Sequence, residues 1–181
     1  MATHQFIEPF PADIDRNAFG NWFSGFTDGE GCFFMKINQD ESLSSSFYLT
    51  LRDDDIAILH LVISYLQCGR LNKLARKTSS PTKPACRIVV SRLSDIRNTI
   101  IPHFDRFPLR SKKARDFAIW REAALLPRDR NGGRDLPYGT RERFIQLHDE
   151  LREVRKYTKS PVPFFLSARP ATREHQSSLF D

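Results

Sequence analysis

The chain has 181 residues, of which 28 are lysine or arginine and 22 are aspartate or glutamate, and its formal net charge is +6. This length suits a domain with a core of its own, and 15 phenylalanines in a 40% apolar composition exclude a disordered chain. The longest apolar run, near residues 56–66, is broken by His60 and Ser64, and Glu8 and Pro9 interrupt the N-terminal stretch, so we expect neither a transmembrane helix nor a secretion signal.

The N-terminal part of the chain predicts a helix followed by a hairpin. Residues 1–16 show no steady period and are interpreted as an arm. Asn17 can cap a helix whose aromatic residues recur at helical spacing, and this helix ends in the acidic, glycine-rich stretch 28–31. Two strands, 32–38 and 47–51, are predicted on either side of a polar turn.

The remainder of the chain repeats this order and adds helices. The Asp53–Asp55 triplet suits a helix N-terminus because carboxylates favour the positive end of the dipole, and Gly69 ends that helix. A second hairpin (70–76 and 86–91) and three further helices (94–104, 111–126 and 140–157) follow. The predicted organisation is an arm (1–16), a core (17–126), a loop with a C-terminal helix (127–159) and an extended tail (160–181). This order predicts an α+β fold with an antiparallel sheet.

The second hairpin carries a concentrated positive charge. Residues 70–92 contain no acid, and their cations are Arg70, Lys73, Arg76, Lys77, Lys83, Arg87 and Arg92. A few lysines on a solvated edge strand would protect against aggregation, but this many cations favour a ribbon that faces phosphates. The positive charge predicts a polyanionic partner. Because a two-stranded ribbon fits the major groove of B-DNA, the hairpin could also reach base edges.

The first predicted helix ends in acids. Asp28 and Glu30 lie at the negative end of the helix dipole, which disfavours a carboxylate by about 0.3–1 kcal/mol. A bound cation would offset this charge, and carboxylates with free carbonyls are hard ligands of the kind Mg²⁺ prefers; the alternative is a glycine cap followed by a surface acid. Gly25 and Gly29 expose backbone on one helix face, which permits close packing against a second copy. Paired Glu30 residues with divalent ions would suit phosphodiester cleavage.

Three stretches of the sequence resemble a known family. Residues 23–31 read FSGFTDGEG and are similar to the LAGLIDADG motif of homing endonucleases. Residues 55–69 resemble the family's second helix with its glycine stop, and 107–120, which contain PLRSKK, resemble a further family segment. The resemblance implies an αββαββα fold with a saddle-shaped antiparallel sheet over duplex DNA and, because one motif is present, a homodimer. It also implies an intron-encoded enzyme that cuts both strands of a long pseudo-palindromic site by metal-dependent hydrolysis.

The resemblance implies roles for individual residues. Glu30 would be the catalytic acid and a metal ligand, and the Gly29 carbonyl a second ligand of Mg²⁺, or of Mn²⁺ or Ca²⁺ in its place. Lys112, with Lys113 as the alternative, would lie near the scissile phosphate, and Arg52 is nearest to the position that orients water. The dimer interface would comprise Trp22, Gly25, Phe26 and Gly29.

Strand alternation predicts which side chains face DNA. On the first hairpin these are Phe34, Lys36, Asn38, Asp40, Ser44, Ser46 and Tyr48. On the second hairpin and after it, the candidates for DNA contact are Arg70, Asn72, Lys73, Arg76, Lys77, Arg87 and Lys113. For each of them the alternative is a solvated strand residue.

Two other functions are compatible with the same fold. An RNA-splicing maturase would share the phosphate contacts and bind RNA, and a non-cleaving DNA-binding module would keep the interface without the chemistry. We expect an intracellular protein, in a bacterial cytoplasm or in an organelle such as a chloroplast or mitochondrion, with no membrane partner.

Overall fold

A computed structural model describes residues 7–74, 83–127 and 137–156 of the chain. Helix α1 (Arg16–Glu30) leads into strands β1 (Gly31–Ile37) and β2 (Leu43–Arg52). A 3-10 turn (Asp53–Asp55) and helix α2 (Ile56–Leu66) precede strands β3 (Arg70–Leu74) and β4 (Ala85–Val90). Helix α3 (Leu93–Asp95) continues through a π-helical stretch (Ile96–Ile100) into α4 (Ile101–Arg106), and α5 (Lys113–Leu125) and α6 (Thr140–Val154) follow. The predicted αββαββα order is confirmed.

The strands form one antiparallel sheet in the order β1-β2-β4-β3. Alternate strand residues enter the core, where Phe33, Phe47 and Ile88 are fully buried against the helices. The residues between them point to the opposite side, which we call the open face. It comprises Cys32, Phe34, Lys36, Ser44, Ser46, Tyr48, Thr50, Arg52, Arg70, Asn72, Leu74, Ala85, Arg87 and Val89.

Helix α1 begins earlier than predicted. Its N-cap is Asp15, whose carboxylate accepts a hydrogen bond from the Ala18 amide at 2.6 Å. An aspartate both satisfies a free amide and suits the positive end of the helix dipole. Asn17 therefore lies inside the helix, and its predicted capping role is wrong.

Strand β2 is longer than predicted because cross-strand pairing extends it back to Leu43. Ser44 and Ser46 precede the predicted strand 47–51, but they pair with Lys36 and Phe34 of β1 and lie on the predicted face. Serine favours turns locally, but the ladder with β1 and the burial of Leu43 and Phe47 override that preference. The turn is confined to residues 38–42.

The segment that precedes α1, predicted as an arm, packs against the helices where the structure describes it. Ile7, Phe10 and Ile14 contact the hydrophobic core. The Arg16 guanidinium carbon lies 4.9 Å from the centroid of the Phe10 ring, a cation–π distance. Residues 7–15 therefore help to hold the N-terminal part of α1 in place.

A buried hydrogen-bond network fixes α1 against α2 and α4. The Ser24 hydroxyl donates to the Phe107 carbonyl at 2.6 Å and lies 3.2 Å from His103 Nε2. The other ring nitrogen of His103 lies 3.2 Å from the Tyr65 hydroxyl. Burial lowers the pKa of His103 to about 4, so its ring is neutral near pH 7. The network sets the direction in which the acidic end of α1 points.

Helix α6 belongs to the same packed unit as the sheet. Phe144 and Leu147 are buried in the common core. Just beyond α6, Arg155 forms an ion pair with Asp116 of α5 at 2.7 Å and donates to the Phe33 carbonyl of β1 at 2.7 Å. None of the helices within the described ranges is both long enough and apolar enough to span a membrane.

Candidate active site

The acids of α1 lie at a junction that has no loop. Strand β1 begins at Gly31, immediately after Glu30, the last residue of α1. A Cβ at Gly31 would collide with the Thr27 side chain and lie 2.9 Å from the Thr27 carbonyl oxygen, so glycine is required for this direct passage. Glu30 is thus fixed where the helix meets the outer strand β1.

Glu30 is exposed, and its carboxylate has no hydrogen-bond or ion-pair partner within the described part of the chain. The Gly31 amide donates to the Thr27 carbonyl, which leaves the carbonyls of Asp28, Gly29 and Glu30 beyond the last helical hydrogen bond. These hard oxygen atoms suit a divalent cation. Residues 7–74, 83–127 and 137–156 contain no cluster of three or more His, Cys, Asp or Glu side chains that fits a metal ion. An ion at Glu30 therefore needs further ligands from a second subunit, from DNA or from water.

Asp28 has a different role because hydrogen bonds occupy its carboxylate. Its Oδ2 accepts from the Arg110 amide at 2.8 Å, and its Oδ1 accepts from the Ser111 hydroxyl at 2.7 Å. The same Ser111 oxygen accepts from the Lys113 amide at 3.1 Å. Asp28 therefore holds the turn that starts α5.

This turn delivers a lysine to the acidic end of α1. Lys113 Nζ donates to the Gly31 carbonyl at 2.5 Å, directly after Glu30 in the chain. Its positive charge offsets part of the negative charge at this end of the helix. The bound cation that the sequence predicts would therefore offset only the remainder. Lys112 is exposed at the N-cap of α5. Of the two candidate lysines, Lys113 is the one that binds the carbonyl next to Glu30.

Arg52, predicted to orient water, is held by a neighbour. Its guanidinium forms a hydrogen-bonded ion pair with Asp54, which raises the pKa of Arg52 and lowers the pKa of Asp54. Gly31 pairs with Leu49, so Arg52 lies farther along β2 than the α1–β1 junction. Thr50 directly follows Leu49 and faces the open side of the sheet, so it lies nearer to this junction than Arg52 does.

Three side chains form a continuous stack across the open face. The ring centroids of Phe34 and Tyr48 are 5.3 Å apart, and the Arg87 guanidinium carbon lies 5.1 Å from the Tyr48 centroid. The Arg87 Nε group donates to the Thr50 hydroxyl at 2.8 Å. The stack joins β1, β2 and β4 and gives the open face an aromatic and cationic centre.

Other residues predicted to contact DNA lie on the same face. They are Lys36, Ser44, Ser46, Arg70 and Asn72. Ser46 is only 5% exposed, because its neighbours on the face cover it, whereas Lys36, Arg70 and Asn72 are exposed. Ligand contact through Ser46 would therefore require its neighbours to move.

Several predicted contacts are placed elsewhere. Lys73 pairs with the buried Cys86, so alternation puts it on the helix side of the sheet, opposite to Arg87. Asn38 and Asp40 lie beyond the end of β1 and hold the turn by hydrogen bonds with Ser42. Their assignment to the strand face extended the alternation past the last strand residue. Arg76 and Lys77 lie outside the described residues.

One face of α1 has no neighbour in the described chain. At Gly25 and Gly29 an added Cβ would meet nothing within 4 Å, whereas at Gly20 it would lie 2.6 Å from an aromatic ring. Trp22 is 41% exposed and stacks on Phe26, with 4.9 Å between the ring centroids. The four residues predicted for a dimer interface lie along the helix that carries Glu30, and we call them the exposed strip: Trp22, Gly25 and Gly29 are exposed, and Phe26 is half-buried against the core.

Two pairings in this site were missed by sequence reasoning. One is the Asp28–Ser111 hydrogen bond, which joins residues 83 positions apart, and the other is the Arg87–Thr50 hydrogen bond between separate hairpins. The PLRSKK stretch signalled the importance of the first region, but no local pattern in the sequence specifies either partner.

Comparison with known proteins agrees with these features. Residues 23–124 match the model of the LAGLIDADG endonuclease family. A probable intron-encoded endonuclease, Cox1-I1b of Schizosaccharomyces pombe, is 35% identical over 149 residues, which cover 80% of this chain and 36% of that protein. The chain spans between 18% and 37% of the length of the curated relatives it matches.

Solved structures show the same fold. The LAGLIDADG homing endonuclease I-GzeII, in complex with its DNA target, aligns over 83% of this chain and 48% of that chain with a TM-score of 0.63 and 22% identity. I-SmaMI, bound to an uncleaved DNA target in the presence of calcium ions, aligns over 72% of this chain and 44% of that chain with a TM-score of 0.59 and 23% identity. Since the family match spans both hairpins and the acidic helix, and the fold agrees, the chain belongs to the LAGLIDADG endonuclease family.

Proposed function

We propose that the protein is a homing endonuclease that cuts both strands of a long, pseudo-palindromic DNA site and acts as a homodimer. The observation that carries this proposal is the placement of Glu30, an exposed carboxylate at the α1–β1 junction, directly before the carbonyl that binds Lys113. An acid and a cation beside a basic sheet face are the groups that phosphodiester hydrolysis uses. The endonuclease names of the relatives favour DNA cleavage over the maturase alternative.

Glu30 and the Gly29 carbonyl would hold a divalent ion, Mg²⁺ or, in its place, Mn²⁺ or Ca²⁺. Both groups offer hard oxygen atoms, and the Glu30 carboxylate is not engaged by the described residues. When bound, such an ion polarises a phosphoryl oxygen and makes water more acidic. The free sides of the Glu30 carboxylate leave space for a DNA phosphate and for Glu30 of a second copy.

Lys113 would stabilise negative charge on the phosphate. A lysine ammonium has three N–H donors, and the Gly31 carbonyl accepts one of them. Asp28 and Ser111 fix the backbone from which this side chain extends, so its charge is positioned before the substrate binds.

The open face would bind the duplex. Tyr48 and Arg87 lie on the inner strands β2 and β4, Phe34 stacks on Tyr48 from β1, and the exposed Arg70 and Asn72 lie on the outer strand β3. Outer cations suit phosphate contacts, which position the duplex, while central side chains can reach base edges. The location that fits an intron-encoded protein is an organelle or a bacterial cytoplasm.

The direct test is cleavage of a randomised duplex library by the purified protein. With Mg²⁺ we expect enrichment of cut sites that share a pseudo-palindromic sequence, and with EDTA we expect no cuts, because the acid alone cannot activate water. Sequencing both cut ends measures the site and its symmetry. Cuts that persist in EDTA, or cuts confined to RNA, would contradict this function.

The two neighbouring lysines provide a matched test of the centre. Lys113→Met should lower the single-turnover cleavage rate about 10²-fold, because a positioned donor is lost. Lys112→Met should change that rate by no more than about fivefold, since an exposed charge contributes at most about 1 kcal/mol. The rate is measured at saturating enzyme on one selected site. Equal losses in both variants would assign the role to general charge rather than to Lys113.

A further inference from the structure

Arg87 differs from Lys36 and Arg70 on the open face because its side chain is held in place within the free protein, and it differs from Arg52 because no carboxylate of the described chain neutralises it. Its Nε donates to the Thr50 hydroxyl at 2.8 Å, and its guanidinium carbon lies 5.1 Å from the Tyr48 ring centroid. Tyr48 is itself packed on Phe34. Arg87 is half-buried by these contacts, whereas Arg70 on the outer strand is exposed.

The hydrogen bond of Arg87 to Thr50 uses only the Nε group of the guanidinium. In the described chain its two terminal nitrogens form no hydrogen bond, and it has no ion-pair partner there. The end of the group therefore presents two parallel N–H donors in the fork that makes bidentate pairs. Such a fork fits a guanine edge or a phosphate.

The position of Arg87 in the sheet distinguishes these two ligands. Strand β4 lies between β2 and β3, so Arg87 is an interior residue of the open face. A sheet that enters the major groove places its interior residues near the base edges and its outer residues near the phosphates. Guanine is the base that offers two acceptors, N7 and O6, side by side in that groove.

Resting on the function proposed above, we propose that Arg87 reads one guanine in each half of the DNA site. Its terminal nitrogens donate to guanine N7 and O6. Thr50 and the Tyr48 ring are positioning groups, because they hold the guanidinium in the reading orientation and so reduce the ordering required on binding. Arg70, without such support, contacts phosphate.

The experiment is selection of bound duplexes from a randomised library in EDTA, so that it does not depend on cleavage. It compares the wild type with Arg87→Lys, which keeps the charge but loses the fork, and with Thr50→Val, which keeps the shape but loses the hydroxyl. Arg70→Ala is the control for an exposed arginine on the same face. Thermal unfolding of each variant confirms that it is folded.

For the wild type we expect one position in each half-site where guanine is strongly enriched. Arg87→Lys should reduce that enrichment by about tenfold or more and leave the other positions unchanged, and Thr50→Val should reduce it less at the same position. Arg70→Ala should weaken binding evenly across sequences. An unchanged profile for Arg87→Lys, or an even loss like that of Arg70→Ala, would overturn the assignment. A protein that binds and reads guanine but never cuts DNA would contradict the proposed function alone.

Discussion

Replacing Glu30 by glutamine should abolish cleavage of duplex DNA and leave DNA binding near the wild-type level. Glutamine keeps the size of the side chain but removes the charge that attracts a divalent ion. We expect the single-turnover rate in Mg²⁺ to fall by about 10³-fold, the loss typical when a charged group acting on the transition state is removed. Binding should persist because the open face is unaltered.

The same change should slightly stabilise the fold. Glu30 lies at the negative end of α1 and is not paired within the described residues. Removing its charge should therefore raise the free energy of unfolding, by no more than about 0.3–1 kcal/mol because the Lys113 charge already offsets part of the dipole. Urea denaturation measures this difference. A gain in stability together with a loss of cleavage indicates a residue kept for function rather than for folding.

Asp28→Asn is the matched control, since it neutralises the other acid of the same helix end. Asp28 accepts hydrogen bonds from Ser111 and from the Arg110 amide, so the change should cost about 1–3 kcal/mol of stability. The two acids should thus have opposite effects on unfolding. Full cleavage by Glu30→Gln in Mg²⁺ would refute the assigned centre.

The sequence was sufficient for the features that depend on local patterns. The aromatic spacing in α1 predicted the helix, although only Phe19 and Phe23 of its aromatic residues are buried. The alternation in β1 predicted that Phe34 and Lys36 lie opposite to Phe33. Both follow from the fixed periods of helices and strands. The end of α1 could also be located from the sequence, because its glycine-rich stretch is a local pattern and Gly31 permits the direct passage from helix to strand.

The features that failed depend on partners distant in the chain. The predicted start of β2 is too late, because Ser44 and Ser46 favour a turn until β1 is placed beside them, although their predicted side of the sheet is confirmed. Lys73 resembles a DNA contact until its pairing with Cys86 fixes its side of the sheet. A shift of one residue in register reverses the face of every strand side chain. Charge along the sequence therefore could not determine which cations share the face of Arg87.

The choice between two adjacent lysines shows the same limit. Lys112 and Lys113 are equivalent as sequence, and the difference between them arises from the turn that Asp28 and Ser111 hold together. That turn directs Lys113 to the Gly31 carbonyl. The geometry of the centre therefore depends on a tertiary contact, although its components could be found from the motif.

Gly25→Leu should convert a dimer into a monomer and thereby remove double-strand cleavage. We propose that the exposed strip of α1 packs against the same strip of a second copy, as bare backbone at Gly25 and Gly29 permits. A leucine at the centre of that contact should raise the dimer dissociation constant by about 30-fold or more, as for other central interface residues. Sedimentation over a range of concentrations measures the constant.

Gly25→Leu should not lower the stability of the single folded chain. An added Cβ at Gly25 meets nothing within 4 Å in the described chain, and replacing a mid-helix glycine removes an entropic cost of about 0.5–1 kcal/mol. The monomeric variant should therefore unfold at an equal or higher urea concentration than the monomeric wild type. Loss of cleavage would then be due to lost association.

Tryptophan fluorescence offers a second measurement of association. The chain has 2 tryptophans, and Trp120 is fully buried, whereas Trp22 is 41% exposed on the strip. Dimerisation should shift the Trp22 emission to shorter wavelength in the wild type, and this shift should disappear in Gly25→Leu. Ala118→Leu, which adds a leucine at an exposed position of α5, controls for added hydrophobic surface. A wild-type dissociation constant for Gly25→Leu would place the interface elsewhere, because two α1 helices cannot approach closely across a leucine.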